Sequence, residues 1–258
     1  MVTINEFEEH FDEQRFSDSS ASESKWASDL PPPSLPYDPA LARQVKADFL
    51  EPCQQRTTPN IKTACDFRSQ VMLKHPYLSE FHSLAEHLHA GLLEGDPAVT
   101  SYVPQPFRLR VRGRQYTPDC YVAADGKPRR VLELRPGGEM PEELATPLRH
   151  FFAGFGMVFE VVNNESVIKR KTEAENWLEI IRILYLARDL STTDAEQTVL
   201  EILYEKGTCT LGDLIDPGDR ERTYSREIAL FRLMHRGHVV GELATAPLDY
   251  DTEVMLCG

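Results

Sequence analysis

Cysteine is scarce and unpatterned in this sequence: Cys53, Cys65, Cys120, Cys209 and Cys257 among 258 residues, odd in number and never spaced as CxxC. That distribution excludes a disulfide scaffold or a zinc ribbon and fits reduced intracellular thiols. No run of apolar residues approaches the roughly 18 needed to span a bilayer. The opening stretch, MVTINEFEEHFDEQRF, is acidic where a secretory signal would be basic and then apolar, so a cytoplasmic location is expected. Several motifs are also missing. Without GxSxG there is no support for acyl transfer at Ser83 or Ser225. Without GxxxxGK[ST] or GxGxxG, Gly137-Gly138 has no case as a nucleotide loop. His82, His87 and His89 lie close together, but with no HExxH they read as helix-surface histidines. No internal repeat is visible. Trp177, Leu178, Ile181 and Leu184 read as one packed helix face.

The composition that remains, 41% hydrophobic with a mean hydropathy of -0.39, is that of a soluble globular chain. Its formal net charge of -13 speaks at first against a polyanionic partner. The charge is unevenly placed, however. Residues 1–60 hold eleven acidic and five basic side chains, whereas Arg108 to Arg135 holds eight basic and three acidic ones. A local basic stripe matters more to DNA than the total.

Three regions follow from texture. Residues 1–60, with SDSSASESKWASDLPPPSLPYDP at their centre, are too polar and proline-rich to bury much surface and read as a disordered leader. Residues 61–170 read as a mixed α/β unit. A helix is expected from Pro76 to Glu94, with Leu78, Phe81, Leu84, Leu88 and Leu92 at helical spacing. Strands are expected in VTSYV, PFRLRVRG, QYTPDCYVA and RRVLELR, then a helix in PEELATPLRHFFAGF and a strand in GMVFEVVNN. Residues 171–258 begin with the amphipathic TEAENWLEIIRILYLARDL and continue through DAEQTVLEILYEKG, Asp-capped and Gly-stopped. TLGDLI and SREIALFRLMHRG add two shorter helices, and VVGELATAPLDYDTEVML reads as a hairpin. Helices followed by a two-stranded wing is winged-helix order.

Chemistry concentrates at Pro118-Asp119 and Glu133-Leu134-Arg135, on strands joined by a turn. Phosphodiester hydrolysis uses a divalent cation held by carboxylates, and Mg2+ or Mn2+ suits a few oxygen ligands. Leu132 and Leu134 should face the core, so Glu133 and Arg135 share the other face. A two-residue Asp125-Gly126 loop would set Asp119 against Leu132, on the wrong face. A three-residue loop with Gly126 left-handed pairs Ala123 with Lys127 and Asp119 with Val131, which brings Asp119, Glu133 and Arg135 together. Glu86, on the preceding helix, offers a third carboxylate or is a solvated helix charge. Arg108, Arg110, Arg112 and Arg114 alternate along one strand as a ladder for a phosphate backbone, or as a charged sheet edge. Gln105, just before them, either bonds DNA or ends a loop.

SLAEHLHAGLLEGDPAVTSYVPQPFRLRV, RQYTPDCYV, GKPRRVLELRP and GMVFEVVNNESVIKRKTEAENWLEIIRILYLAR, in this order, resemble the TnsA family of endonuclease subunits of heteromeric transposases. The resemblance is close over residues 56 to 190 and looser beyond. It implies a restriction-endonuclease-like, PD-(D/E)XK mixed sheet flanked by helices, followed by a C-terminal winged-helix-like domain. It also implies a Mg2+-dependent nuclease that nicks the non-transferred strand at transposon ends. Such a subunit works beside a DDE-type transposase and an ATPase regulator of transposition. By position, Glu86 in SxxE and Asp119 in TPD would be metal ligands, and Glu133 would ligate metal or position water. The C-terminal domain would contact DNA, the regulator, or both. Arg135 departs from the family, which has Lys there; a guanidinium stays protonated and prefers bidentate phosphate contact. Two other readings stay open: a DNA-binding assembly subunit that has lost cleavage, and a related nuclease of restriction or phage defence.

Overall fold

The computed structural model describes residues 36–258, so the first 35 residues of the expected leader lie outside the described residues. The rest of that leader belongs to the fold. Helix α1 (Pro39–Ala42) is capped by the Asp38 carboxylate, and β1 (Val45–Ala47) pairs antiparallel with β5 (Leu109–Val111). A three-residue strand held by a partner 64 positions away leaves almost no local pattern, which is why composition alone missed it. Helix α2 (Pro59–Ala64) and the antiparallel pair β2 (Arg68–Val71) and β3 (Leu78–Phe81) follow.

The helix expected from Pro76 starts only at Leu84. Its first residues form β3, and Ser83 caps α3 (Leu84–Gly95) by accepting from the Glu86 amide. Three positions apart, Leu78 and Phe81 fall on opposite faces of a period-two strand, so their helical spacing carries no structural meaning here. The central mixed sheet has the order β4 (Val99–Pro104), β7 (Cys120–Ala124), β8 (Arg130–Arg135), β9 (Val158–Asn163). Its first two pairings are antiparallel and the last is parallel. Cys120, Val122, Leu132 and Leu134 pack toward α3, while Tyr121, Val131 and Phe159 pack with Leu148, Phe151 and Phe152 of α4 (Glu142–Ala153). Alternation along the strands thus feeds two cores, one on each face.

The arginine ladder is broken up. Leu109–Val111 is β5, Arg112 and Gly113 make a tight turn at φ 49° and 84°, and Arg114–Tyr116 is β6. Positive φ at both central residues is what the type I′ form of a two-residue hairpin requires. Strand β7 likewise starts at Cys120, leaving Thr117 to Asp119 outside it.

Helix α5 (Asn164–Ile168) leads to α6 (Lys171–Leu186), which serves two cores. Ala174, Leu178 and Ile181 pack with α3; Trp177, Ile180 and Leu184 pack with the C-terminal elements. The close approach needs glycine, since a Cβ at Gly91 would lie 2.6 Å from the Ala174 carbonyl oxygen. Beyond it come α7 (Thr193–Lys206), β10 (Thr208–Thr210), α8 (Leu211–Leu214), α9 (Arg220–His235), β11 (Val239–Gly241) and β12 (Glu253–Leu256). The expected hairpin is present, and β10, not anticipated, joins β12 from the other side. Thr192, not Asp194, occupies the N-cap of α7. The chain is therefore a mixed α/β protein. No helix among the described residues is long and apolar enough to cross a membrane, and all five cysteines are free.

Candidate active site

The β7–β8 connection sets the geometry. Gly126 is left-handed at φ 65°, as expected, and the turn closes through Lys127 N donating to Ala124 O at 3.3 Å. The register differs from expectation by two residues: Cys120 pairs with Leu132 and Val122 with Arg130. Pro128 has no amide proton to donate, so the ladder opens only at Arg130. A two-residue shift keeps side chains on their faces. Asp119 N donates to Leu132 O at 3.1 Å, and its Oδ2 accepts from Leu134 N at 2.7 Å. Asp119 is thereby bound to the backbone on either side of Glu133. No hydrogen bond from a described residue occupies its Oδ1.

Glu133 is only 3% exposed, and both of its oxygens are engaged. Oε1 meets Arg135 Nη2 at 2.5 Å, and Oε2 accepts from the Tyr116 hydroxyl at 2.5 Å. Tyr116 was not singled out in the sequence; its residue type and strand position gave no sign of a partner seventeen residues away. Glu86 sits in the third position of α3, where its Oε1 accepts from Ser83 Oγ and its Oε2 from His82 N. This is a capping arrangement, and it aims the carboxylate into the site. The remaining donor to Oε2 is Gln105 Nε2 at 2.7 Å.

Gln105, expected either to bond DNA or to end a loop, lies in the interior and bonds a carboxylate. It is 2% exposed, its N donates to Asp119 O at 2.9 Å, and it holds a positive φ of 40°. A non-glycine residue in that region carries backbone strain, which persists where the surroundings impose it.

All three carboxylates are raised by burial, and Asp119 and Glu133 also by a neighbouring carboxylate. Asp119 is pushed well up, first by burial and then by the charges of Glu133 and Glu86. Burial also raises Glu86, and it outweighs the lowering effect of Tyr116 and Arg135 on Glu133. Tyr116 is held far above its ordinary range by burial and by Glu133, so it remains a donor. Glu86 and Asp119 share the wall of a cavity of about 10 Å³, with His89, Tyr102, Cys120 and Leu134 also lining it. That is room for about one water.

Among the described residues, no three His, Cys, Asp or Glu side chains are grouped closely enough to hold a metal ion by themselves. The donor chemistry nonetheless fits Mg2+, which commonly takes one or two carboxylates and completes its shell with waters and phosphate oxygens. Mutual repulsion among buried acids is what such a cation relieves. The histidines set aside above are half-buried, not on the surface as expected. His82 Nε2 meets Thr57 Oγ1 at 2.9 Å and His87 Nε2 meets Gln70 Oε1 at 3.2 Å. Burial lowers His87 and His89 to about 4, so both are neutral near pH 7.

No protein-family model matches this chain, and no curated protein matches it.

Beside the carboxylates lies the small sheet β1–β5–β6. Lys46 pairs with Arg110 and Arg110 with Gln115, all three exposed, while Leu109 and Val111 turn into the core. Arg108 and Arg114 are also exposed, and Arg112 Nε donates to Gln44 Oε1 at 2.7 Å. Among the described residues, Lys46, Arg108, Arg110 and Arg114 enter no ion pair. The arginines of α9 differ. Arg220 pairs with Glu227 at 2.5 Å, Arg222 with Asp216 and Asp219, and Arg236, just past its end, with Glu196. Arg226 donates to Leu214 O, and Arg232 caps the carbonyls of Ala187 and Leu190. A wider groove of about 480 Å³, between α6 and α9, is lined by Ile183, Leu186 and Tyr224 and holds one acid, Glu221. It gathers no catalytic set.

Proposed function

We propose that this chain is a metal-dependent DNA endonuclease subunit of a TnsA-type transposase, nicking the non-transferred strand at transposon ends. The observation that carries the reading is one juxtaposition. Three neighbouring carboxylates, from a helix start, the loop before β7 and strand β8, lie beside a hairpin whose arginines enter no ion pair among the described residues, and Tyr116 links the two. An acidic cluster facing DNA repels phosphate unless a cation intervenes.

Glu86 and Asp119 are the residues that would hold Mg2+ or Mn2+. When bound, the ion supplies charge neutralisation at the phosphate and activation of the attacking water. Gln105 and Ser83 keep Glu86 aimed, and the Leu134 amide fixes Asp119. Tyr116 and Arg135 orient Glu133. Arg135 is half-exposed and offers a phosphate oxygen a charged donor, but it cannot accept a proton. Arg108, Arg110 and Arg114, with Lys46, grip the backbone.

The mixed sheet flanked by helices on both faces supports the restriction-endonuclease-like assignment. The order helix, strand, two helices and a pair of strands in residues 193–256 supports a winged helix. Because the arginines of its α9 are satisfied internally, we assign this module to protein contact, with the transposase or the ATPase regulator, and the DNA to the β5–β6 hairpin.

The test is strand-specific cleavage of labelled transposon-end DNA with Mg2+ or Mn2+ and the cognate transposase. The native chain is compared with Asp119→Ala and Arg135→Lys. Nicking lost in Asp119→Ala establishes the nuclease. A silent native chain that gains activity as Arg135→Lys moves the protein to the second reading, an assembly subunit. That reading is favoured by one observation, the protonated Arg135 where a proton acceptor is expected.

A further inference from the structure

Both Glu133 oxygens are engaged in the state described, and Oε1 is held by a guanidinium, a cation that competes directly with a metal ion, whereas the partners of Glu86 are all neutral. The two partners of Glu133 are of different kinds. Tyr116 is half-buried on β6, packed against the core that Tyr121 and Phe107 help form, and anchors Oε2. Arg135 is 46% exposed along its side chain, stands at the last position of β8, and has no ion pair besides Glu133 among the described residues. The residues after it are Pro136, Gly137 and Gly138, the glycines at φ 71° and 69°. Arg135 is therefore the partner that can leave.

A phosphate is the group that would draw it away. Guanidinium binds carboxylate and phosphate with the same planar fork, and Arg108, Arg110 and Arg114, exposed and without an ion pair among the described residues, stand on or next to the hairpin whose Tyr116 bonds Glu133. Once Arg135 turns to phosphate, Glu133 Oε1 is left buried and uncompensated, next to Asp119 and Glu86. Breaking a buried pair by removing one partner is costly unless another cation replaces it.

Resting on the nuclease reading, we infer that Arg135 gates the site: it occupies Glu133 Oε1 in the DNA-free protein, and DNA phosphate withdraws it to open that oxygen to a divalent cation. DNA and cation then bind with positive coupling, and the free protein is kept from loading metal. Coupling is reciprocal, so the cation tightens DNA by the same factor.

Ca2+, titrated calorimetrically into the full chain with and without a saturating short duplex, reads this without any cleavage. The native chain is expected to bind Ca2+ at least about tenfold more tightly with DNA, a coupling of ~1.4 kcal/mol. In Arg135→Gln, the DNA-free affinity is expected to rise toward the DNA-bound native value, and the effect of the duplex to fall below about threefold. Glu133→Gln keeps the shape, removes the gated oxygen, and is expected to bind Ca2+ weakly with or without DNA. Far-UV circular dichroism of each variant verifies folding. Ca2+ binding in the native chain that ignores DNA, or that weakens in DNA-free Arg135→Gln, overturns the gate and leaves the nuclease reading standing. No Ca2+ binding by the native chain or by Arg135→Gln, with or without DNA, overturns both.

Discussion

The side-chain amide of Gln105 donates to Glu86 Oε2 at 2.7 Å from a backbone held at a φ of 40°. One residue therefore carries strain and positions a carboxylate at once. Gln105→Ala loses the amide and keeps the strain; Gln105→Gly loses the amide and relieves roughly 1 kcal/mol of backbone cost. Both variants should lose nicking turnover while their duplex affinity stays unchanged. In urea titrations the glycine variant should be the more stable of the two by about 1 kcal/mol. A weakened duplex affinity would return Gln105 to the DNA surface.

Raised carboxyl pKa values carry a stability signature. Asp119, Glu86 and Glu133 all titrate higher in the folded protein than ordinary carboxyl groups do, chiefly because they are buried. The folded state then holds more protons than the unfolded one above the ordinary carboxyl range. The stability contributed is fully present below about pH 4 and is lost as pH rises through the raised values. Asp119→Asn keeps an acceptor for Leu134 N and removes the most strongly raised charge. Its melting temperature should exceed the native one at pH 7 to 8, and the gap should close near pH 4. With a saturating duplex present, Mg2+ should raise the native melting temperature and leave that of Asp119→Asn in place.

Much of the site was legible in the sequence, because the period-two alternation of Leu132, Glu133, Leu134 and Arg135 fixes which side chains share a face. The register was not, since it follows from the conformation of the turn, and a shift of two residues leaves the same side chains on the same face. Neither Gln105 nor Tyr116 had a local pattern; each acts through a contact with a distant chain segment. Residues 36–60 were lost to composition for a similar reason: β1 is three residues long and exists only because β5 completes it. The two halves of the chain were separated at Lys171, whereas α6 packs into the cores on both sides. An amphipathic pattern shows that a helix has apolar positions, not how many partners will claim them.

Glu94 ties those halves together. It is fully buried at the end of α3, where its Oε1 accepts from Leu73 N, Lys74 N and the Tyr102 hydroxyl. Its Oε2 meets His235 Nε2, on α9, at 3.0 Å. Glu94→Ala strands two backbone donors and a buried tyrosine, and should cost roughly 3–5 kcal/mol. His235→Ala removes one partner and should cost about 1 kcal/mol. Chemical denaturation gives both figures. Equal losses in the two variants would mean that the histidine contact, not the donor cluster, is the junction.

The division between a DNA face and a protein face rests on which arginines are free. Counterion release makes the salt dependence of binding a count of phosphate contacts, with a slope of about -0.9 per contact on duplex DNA. Alanine at Arg108, Arg110 and Arg114 together should flatten the slope of log affinity against log salt by about 2–3 and leave the melting temperature nearly unchanged. Arg232→Ala should do the reverse, because that side chain donates to Leu190 O, Thr192 Oγ1 and Ala187 O. Stability should drop by roughly 2–3 kcal/mol while the salt slope holds. If the slope follows α9 and ignores the hairpin, DNA lies on the C-terminal module, and the carboxylates face something other than its backbone.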